Sequence, residues 1–173
     1  MTFADFAPIA DTVNAVVVTL TLVVLIVSIR QNTKSQRVLA VESLTSAIAS
    51  INVPAMESPT LGLALSRATR EWASASPDER VVAHYFLFVY FKLHEQAWYQ
   101  HKAGVLDSEQ WAGWDITIRR YYHSPGVQSD WWPRRQQSFS ATFRAYLAST
   151  KPVEGEGTLS DLFDARSPSQ PLQ

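Results

Sequence analysis

An uncharged apolar run at residues 12–29, TVNAVVVTLTLVVLIVSI, constrains this chain more than any other feature of its sequence. An α-helix rises about 1.5 Å per residue, so roughly 20 apolar residues cross the ~30 Å hydrocarbon core of a bilayer. The hydroxyl groups inside the run can donate to carbonyls of the same helix, so they do not break it. The sequence therefore predicts a transmembrane helix at residues 12–29, with the lipid bilayer as its surroundings.

The charges on the two sides of this run predict its orientation. Asp5 and Asp11 precede it, and no Lys or Arg does. The charged residues that follow it directly are basic: Arg30, Lys34 and Arg37. Basic flanks stay on the cytoplasmic side of a membrane. We therefore expect residues 1–11 to be an external tail and the rest of the chain to be cytoplasmic, in a single-pass inner-membrane protein. A cleaved signal peptide would need a basic N-terminal region and a small-residue cleavage site, and neither is present.

The composition favours one packed domain after the anchor. The 173 residues leave room for a domain of about 120 residues with its own core. The net charge of −1 gives no overall field that attracts nucleic acid or anionic lipid. Cysteine is absent, which excludes disulfides, thiolate catalysis and cysteine-based zinc sites. Six Trp, six Tyr and eight Phe, most of them between residues 72 and 146, favour a packed core there.

Apolar residues continue at helical spacing after the predicted membrane segment: Val41, Leu44, Ile48 and Ile51. Steps of three and four residues place them on one helix face. Since no Gly or Pro occurs between the run and Pro54, we predict one helix over about residues 10–51 that ends before Pro54. Its juxtamembrane extension covers residues 30–53. The apolar face must pack either on the following domain or on a neighbouring copy.

Three polar residues stand at seven-residue steps within the apolar run: Asn14, Thr21 and Ser28. They share a helix face, and small or hydroxylated side chains there allow helices to approach closely and to hydrogen-bond. With the apolar face of the extension, they predict an oligomer seam and hence a homo-oligomer. The alternatives are the lining of a small oligomeric channel, or an alignment without consequence.

The remaining chain predicts an all-α domain of about five helices over residues 54–149. Helix starts are indicated by Ser58 before Pro59, by the Ser76–Glu79 capping box, and by the caps Asp107 and Ser140. Residues 85–91 are apolar on every side, which predicts a central helix surrounded by others. No stretch shows the alternation of a strand.

The last residues, 150–173, are rich in Pro, Gly and Ser and predict a disordered tail. Within it, Leu159, Leu162 and Phe163 have helical spacing beside two aspartates. Such a segment can fold into a partner's groove, although an inert tail is the simpler interpretation.

Residues 94–146 carry a recurring pattern of glycine and aromatic positions. A Glu-bearing aromatic helix leads to Gly104 and Asp107, then to a Trp-bearing helix, Pro125-Gly126 and the pair Trp131-Trp132. This pattern resembles a widespread family of uncharacterised bacterial membrane proteins. The resemblance implies one N-terminal span and a helical cytoplasmic domain. That family has no assigned activity, so the resemblance implies no site residues.

His94, Glu95 and His101 offer ligand types that zinc and iron accept. Seven residues separate the two histidines, which leaves about 10 Å along a helix. Trp98 also stands where a zinc-protease helix would need its second histidine. We therefore expect packed histidines, with no metal and no cofactor.

Glu95 is the other candidate, because it follows the most apolar part of its helix. A half-buried carboxylate needs a cation or several donors. The candidate cations are Lys92, Lys102, Arg119 and Arg120. One interpretation is a structural ion pair between the third and fourth helices. The other is a polar ligand site made by Glu95, His94, His101, Arg119 and Arg120.

Arginines also alternate with rings at residues 119–122 and 131–135, a combination found in single-stranded nucleic-acid sites. Neighbouring helical residues point about 100° apart, so the rings are expected in the core and nucleic acid is disfavoured. No catalytic motif is present. The sequence thus predicts a membrane-anchored, self-associating interaction or sensory module with an unidentified cytoplasmic protein partner. The alternatives are a membrane-bound ligand- or metal-binding protein or enzyme at Glu95, and a small channel.

Overall fold

The computed structural model describes the backbone of residues 7–153 and their side chains, apart from those of residues 7–13, 15, 54–56 and 59. Within this range the chain forms six α-helices and no strand, so the all-α prediction is confirmed. The helices are α1 (Ala7–Glu57), α2 (Pro59–Arg70), α3 (Pro77–Lys102), α4 (Ser108–Tyr122), α5 (Trp132–Arg135) and α6 (Ala141–Ser149). Short helical turns at Trp72–Ser74, Val127–Trp131 and Gln136–Ser138 connect them.

The chain divides into two compact units, Met1–Val41 and Glu42–Gln173. The first unit contains most of α1. By length and composition, a segment within Val16–Val53 could cross a membrane. No residue is buried in the most apolar 18-residue window of this segment. The second unit contains the remainder of α1 and all the other helices.

The C-terminal end of α1 differs from the prediction. The helix continues past Pro54 to Glu57, so the expected end before Pro54 is wrong. A proline in a helix lacks one N–H donor but has a φ angle that the helix accepts. The helix ends instead at Ser58, whose φ of −115° and ψ of 96° are extended. Val53 also precedes a proline and stays helical, but Ser58 is in addition the N-cap of α2, and a cap residue takes an extended conformation.

The predicted helix starts are confirmed by hydrogen bonds between near neighbours. In the capping box of α3, the Glu79 N–H donates to Ser76 Oγ at 3.2 Å, and the Ser76 N–H donates to Glu79 Oε2 at 2.8 Å. Asp107 caps α4 in the same way, with the Gln110 N–H 2.8 Å from its Oδ1. Ser58 and Ser140 cap α2 and α6. After α3, Gly104 takes a φ of +71°, which favours glycine.

The core of the second unit is built around Phe91 of α3, which is fully buried. Its ring contacts those of Trp131, Trp132 and Phe139 at centroid distances of 5.0, 5.5 and 6.1 Å. Ile48 and Ile51 of α1 pack against this core. The part of the apolar face that belongs to the second unit, Leu44, Ile48 and Ile51, thus packs within that unit, which was one of the two alternatives.

One face of α3 is exposed. Val81, Tyr85 and Val89 are 55%, 65% and 47% exposed. The prediction that residues 85–91 are surrounded on every side is therefore wrong. The other helices cover the face that carries Leu87 and Phe91, both fully buried, and leave this one open. An all-apolar stretch does not show which of its faces receives a neighbour.

The end of the helical domain also extends beyond the predicted boundary. Lys151 and Pro152 follow α6, in the region predicted to be a disordered tail. Their carbonyls accept hydrogen bonds from the Arg119 guanidinium at 2.9 and 3.5 Å. The segment with Leu159, Leu162 and Phe163 lies outside the described residues.

Candidate functional site

The candidate site is a cleft of about 370 Å³ beside the N-terminal half of α3. Its walls come from the turn that contains Trp72, from α3 and from the segment around α5. Tyr85 stands at its open side, whereas Trp131 is only 2% exposed. Nine residues line the cleft: Trp72, Pro77, Arg80, Val81, His84, Tyr85, Trp131, Arg134 and Arg135.

A hydrogen bond between distant segments fixes the deep wall of the cleft. The indole N–H of Trp131 donates to Nδ1 of His84 at 3.1 Å. Since Nδ1 accepts this bond, the neutral His84 ring carries its proton on Nε2. The two rings also pack, with centroids 6.3 Å apart. His84 therefore holds Trp131 in place and keeps one N–H donor on the wall of the cleft.

The cleft is electropositive. Arg80, Arg134 and Arg135 line it, and none of the described acidic residues does. Arg134 pairs with Asp130 at 3.2 Å, whereas no carboxylate in the described part of the chain pairs with Arg80 or Arg135. Burial lowers the pKa of His84, and the charge of Arg135 lowers it further. His84 thus stays neutral near pH 7 and adds a hydrogen-bond donor there.

Glu95, the carboxylate singled out from the sequence, bridges α3 to the start of α6. Its side chain accepts from Lys92 Nζ at 2.8 Å and from the Ser140 N–H at 2.7 Å. Lys92 also donates to the Ser138 carbonyl at 2.6 Å and lies 4.6 Å from the centre of the Phe139 ring. Of the candidate cations, Lys92 is therefore the partner. The bridge joins the third helix to the last one, where the sequence predicted the fourth.

The environment of Glu95 favours its charged form. Burial alone would raise its pKa, but the hydrogen bonds from Lys92 and from Ser140 outweigh burial and hold the pKa of Glu95 below its usual range. Both carboxylate oxygens are thus occupied by groups of the same chain. This geometry fits a structural bridge.

His94 and His101 lie in different surroundings and do not form one site. His94 is fully buried, and its Nδ1 donates to the Tyr90 carbonyl at 2.8 Å. Its Nε2 has no hydrogen-bond partner within the described residues. His101 stacks on Trp111, with ring centroids 5.3 Å apart, and its Nδ1 lies 3.2 Å from the Leu106 carbonyl.

A second, smaller cavity of about 300 Å³ borders His94. Its lining consists of Ile48, Tyr90, His94, Gln110, Gly113, Trp114 and Thr117. Burial lowers the pKa of His94 to about 4, against the opposing effect of the Tyr90 carbonyl. The buried ring is therefore neutral at physiological pH.

The low pKa of His94 predicts a pH-dependent loss of stability. A histidine with a pKa of about 4 when folded and about 6.5 when unfolded takes up protons preferentially in the unfolded chain. The neutral ring therefore contributes fully to the free energy of unfolding above pH 6.5, and this contribution is lost as the pH falls toward 4. Between pH 7 and pH 5, we expect the wild-type protein to lose about 2 kcal/mol more than His94→Gln. Denaturant unfolding at both pH values checks this, and equal losses would contradict it.

Arg119 and Arg120 do not approach Glu95 as partners. Arg119 pairs with Asp115 at 3.0 Å, and Asp115 also accepts a short hydrogen bond from the Tyr146 hydroxyl. This group joins α4 to α6. Arg120 is half-buried on α4. Glu95, His94, His101 and Arg119 thus belong to four separate structural contacts and do not form one polar site.

Comparisons with known proteins give no identity. No family model matches the sequence, and no curated protein or solved structure matches it either. The resemblance to an uncharacterised bacterial membrane-protein family therefore stays a prediction. The function has to be argued from the chain itself.

No metal centre emerges from the described residues. They contain no group of three His, Asp or Glu side chains placed to hold a metal ion. The cleft was missed by sequence reasoning, although its rings and arginines were noticed as the alternating pattern at residues 131–135. Arg80 and His84, which lie about fifty residues earlier, supply the other wall.

The predicted seam residues separate into two groups. Asn14, Thr21 and Ser28 are exposed on α1, where the Thr21 hydroxyl donates to the Val17 carbonyl at 2.8 Å. Val41 is half-buried. Leu44 is buried within the second unit, and Ile48 and Ile51 pack against its core. Of the seven predicted seam residues, the three polar ones are thus the most exposed.

Proposed function

We propose that this protein is a membrane-anchored, self-associating interaction or sensory module without catalytic activity. The observation that carries the proposal is that no residue is buried in the most apolar 18-residue window of α1. Burying one large aliphatic side chain is worth about 1.5–3 kcal/mol, so a bilayer is the favourable surroundings for these residues. The exposed ones before Arg30 are Val16, Val17, Val18, Leu20, Leu22, Val23, Val24, Leu25, Ile26, Val27 and Ile29.

The proposed orientation places the N-terminus outside and the helical domain in the cytoplasm, at the inner membrane of a bacterial cell. Arg30, Lys34 and Arg37 support it, because all three are exposed just after the apolar segment. The chain has no cysteine, so single-cysteine labelling carries no background from the protein itself. In intact cells, a membrane-impermeant maleimide should label Thr2→Cys, and should label the exposed Ala148→Cys only after permeabilisation. The reverse pattern would overturn the orientation.

Self-association is proposed through Asn14, Thr21 and Ser28, since the domain already uses Leu44, Ile48 and Ile51. The three polar side chains are exposed and share one face of α1. A hydrogen bond between membrane helices contributes about 0.6 kcal/mol on average. Such a face therefore gives a weak, reversible contact.

Replacing Asn14, Thr21 and Ser28 together by alanine should weaken the oligomer about 20-fold, which corresponds to three such hydrogen bonds. Native mass spectrometry of the full chain, diluted in a neutral detergent, measures the change. The matched control is Val16→Ala, Val23→Ala and Val27→Ala, which trims the opposite face of α1. Equal oligomer mass in wild type and triple variant, or equal weakening by the control, would overturn the seam.

Two alternative functions have requirements that the interaction module does not have. A small channel requires the polar face to surround a shared axis, so reconstituted vesicles would conduct ions. A ligand site or enzyme at Glu95 requires a free carboxylate, whereas Lys92 and the Ser140 N–H already bind that carboxylate. The proposed interaction module requires neither.

A further inference from the structure

The arginine-lined cleft has the dimensions and the lining of a small-molecule site. Such sites enclose roughly 300–1,000 Å³ and combine apolar walls with a few placed polar groups. This cleft encloses about 370 Å³, and Tyr85 supplies the exposed ring of its apolar wall, together with the exposed Val81 and the nearly buried Trp72 and Trp131. The ring of Tyr85 is a flat surface that matches a flat apolar group.

The charges of the cleft indicate the sign of its ligand. Arg80 and Arg135 have no carboxylate partner in the described part of the chain, whereas Arg134 donates a hydrogen bond to Asp130 at 3.2 Å. A guanidinium presents parallel N–H donors that fit a carboxylate or a phosphate. His84 supplies one more neutral donor, because the Trp131 N–H occupies its other ring nitrogen.

From these observations we infer that the cleft binds a small anion that carries a flat apolar ring, such as an aromatic carboxylate. The anionic group lies against Arg80 and Arg135, and the ring lies against Tyr85. The enclosed volume of the cleft favours a small molecule over a flat membrane surface. The inference is independent of self-association, since the whole lining belongs to one unit of one chain.

Calorimetric titration of the full chain in phosphatidylcholine nanodiscs tests the inference, with empty discs as the blank. The probes are 2-naphthoate, phenyl phosphate and indole-3-acetate, with naphthalene-2-methanol as the neutral analogue of the first. At least one anion should bind saturably, and 2-naphthoate should bind about 10-fold more tightly than the alcohol, which corresponds to one charge-assisted hydrogen bond. No saturable binding by any of the three anions would overturn the inference.

Variants locate the binding. Arg135→Gln and Tyr85→Ala alter exposed side chains and should each weaken 2-naphthoate binding about 10-fold. The matched control is Lys102→Gln, at the far end of α3, which should leave binding unchanged. Equal weakening by Lys102→Gln would show a non-specific charge effect and overturn the site. Displacement of 2-naphthoate by phosphatidylglycerol in the discs, with the same dependence on Arg135, would overturn it in favour of an anionic lipid surface.

Discussion

Gly126→Ala is expected to destabilise the helical domain by about 3 kcal/mol or more, because it forces side-chain volume into a closed backbone contact. A Cβ atom at Gly126 would lie 2.0 Å from the Ala68 carbonyl oxygen and 2.9 Å from the Trp72 N. These are backbone atoms at the C-terminal end of α2 and just after it, so no side-chain rotation relieves the clash. The φ of −66° at Gly126 is ordinary, so the effect is due to space alone.

The matched control is Gly113→Ala in the middle of α4, where a Cβ meets nothing within 4 Å. Alanine there should stabilise the protein by up to about 1 kcal/mol, through helix propensity. Thermal unfolding followed by near-ultraviolet circular dichroism measures both, and the Gly126 variant should melt roughly 15 °C lower than wild type. A Gly126 variant as stable as wild type would show that α2 can move away without loss.

Glu95→Ala is expected to destabilise the domain by about 1.5–3 kcal/mol, the usual value of hydrogen bonds to a charged group, because the 40% exposed Lys92 side chain can be rehydrated after the change. The change leaves the Ser140 N–H without its acceptor and Lys92 without its carboxylate. Phe139 lies between these contacts and packs on Trp132 at 5.2 Å, so the damage extends to the aromatic core. Denaturant unfolding of the full chain measures the loss.

Two controls separate the bridge from a ligand site at Glu95. Gln96→Ala changes the exposed neighbour on α3 and should leave stability nearly unchanged. Glu95→Gln keeps the shape of the side chain without its charge, and should cost less than alanine. The lowered pKa of Glu95 means that its stabilising charge is present above its ordinary pKa of 4.5 and is lost as the pH falls through its depressed value. The difference between wild type and Glu95→Gln should therefore shrink in acid. Unchanged stability of Glu95→Ala would instead favour a ligand site.

The local part of the fold could be read from the sequence, because its determinants are close together along the chain. The caps at Ser76, Asp107 and Ser140 depend on hydrogen bonds to residues three positions away. The same applies to Gly104, whose positive φ ends α3 without help from another element. The apolar segment of α1 was likewise evident from the order of its residues alone.

The candidate site required the tertiary structure. Its walls meet through contacts such as Trp131 with His84, which are 47 residues apart. Glu95 showed the same limit: the sequence predicted that it needs partners, but it did not show which groups they are. Four cations were candidates, and one of its two actual partners is a backbone N–H 45 residues away.

By itself, then, the sequence of this protein determined that it is helical, where most of its helices begin, and that one segment suits a bilayer. Those properties follow from residue type and from periods of three to seven residues. The tertiary structure alone decided which face of α3 stays open, which groups surround Glu95 and His94, and why residue 126 must be glycine. Each of these depends on which distant surfaces pack together, and packing selects among faces that a helical period leaves equivalent.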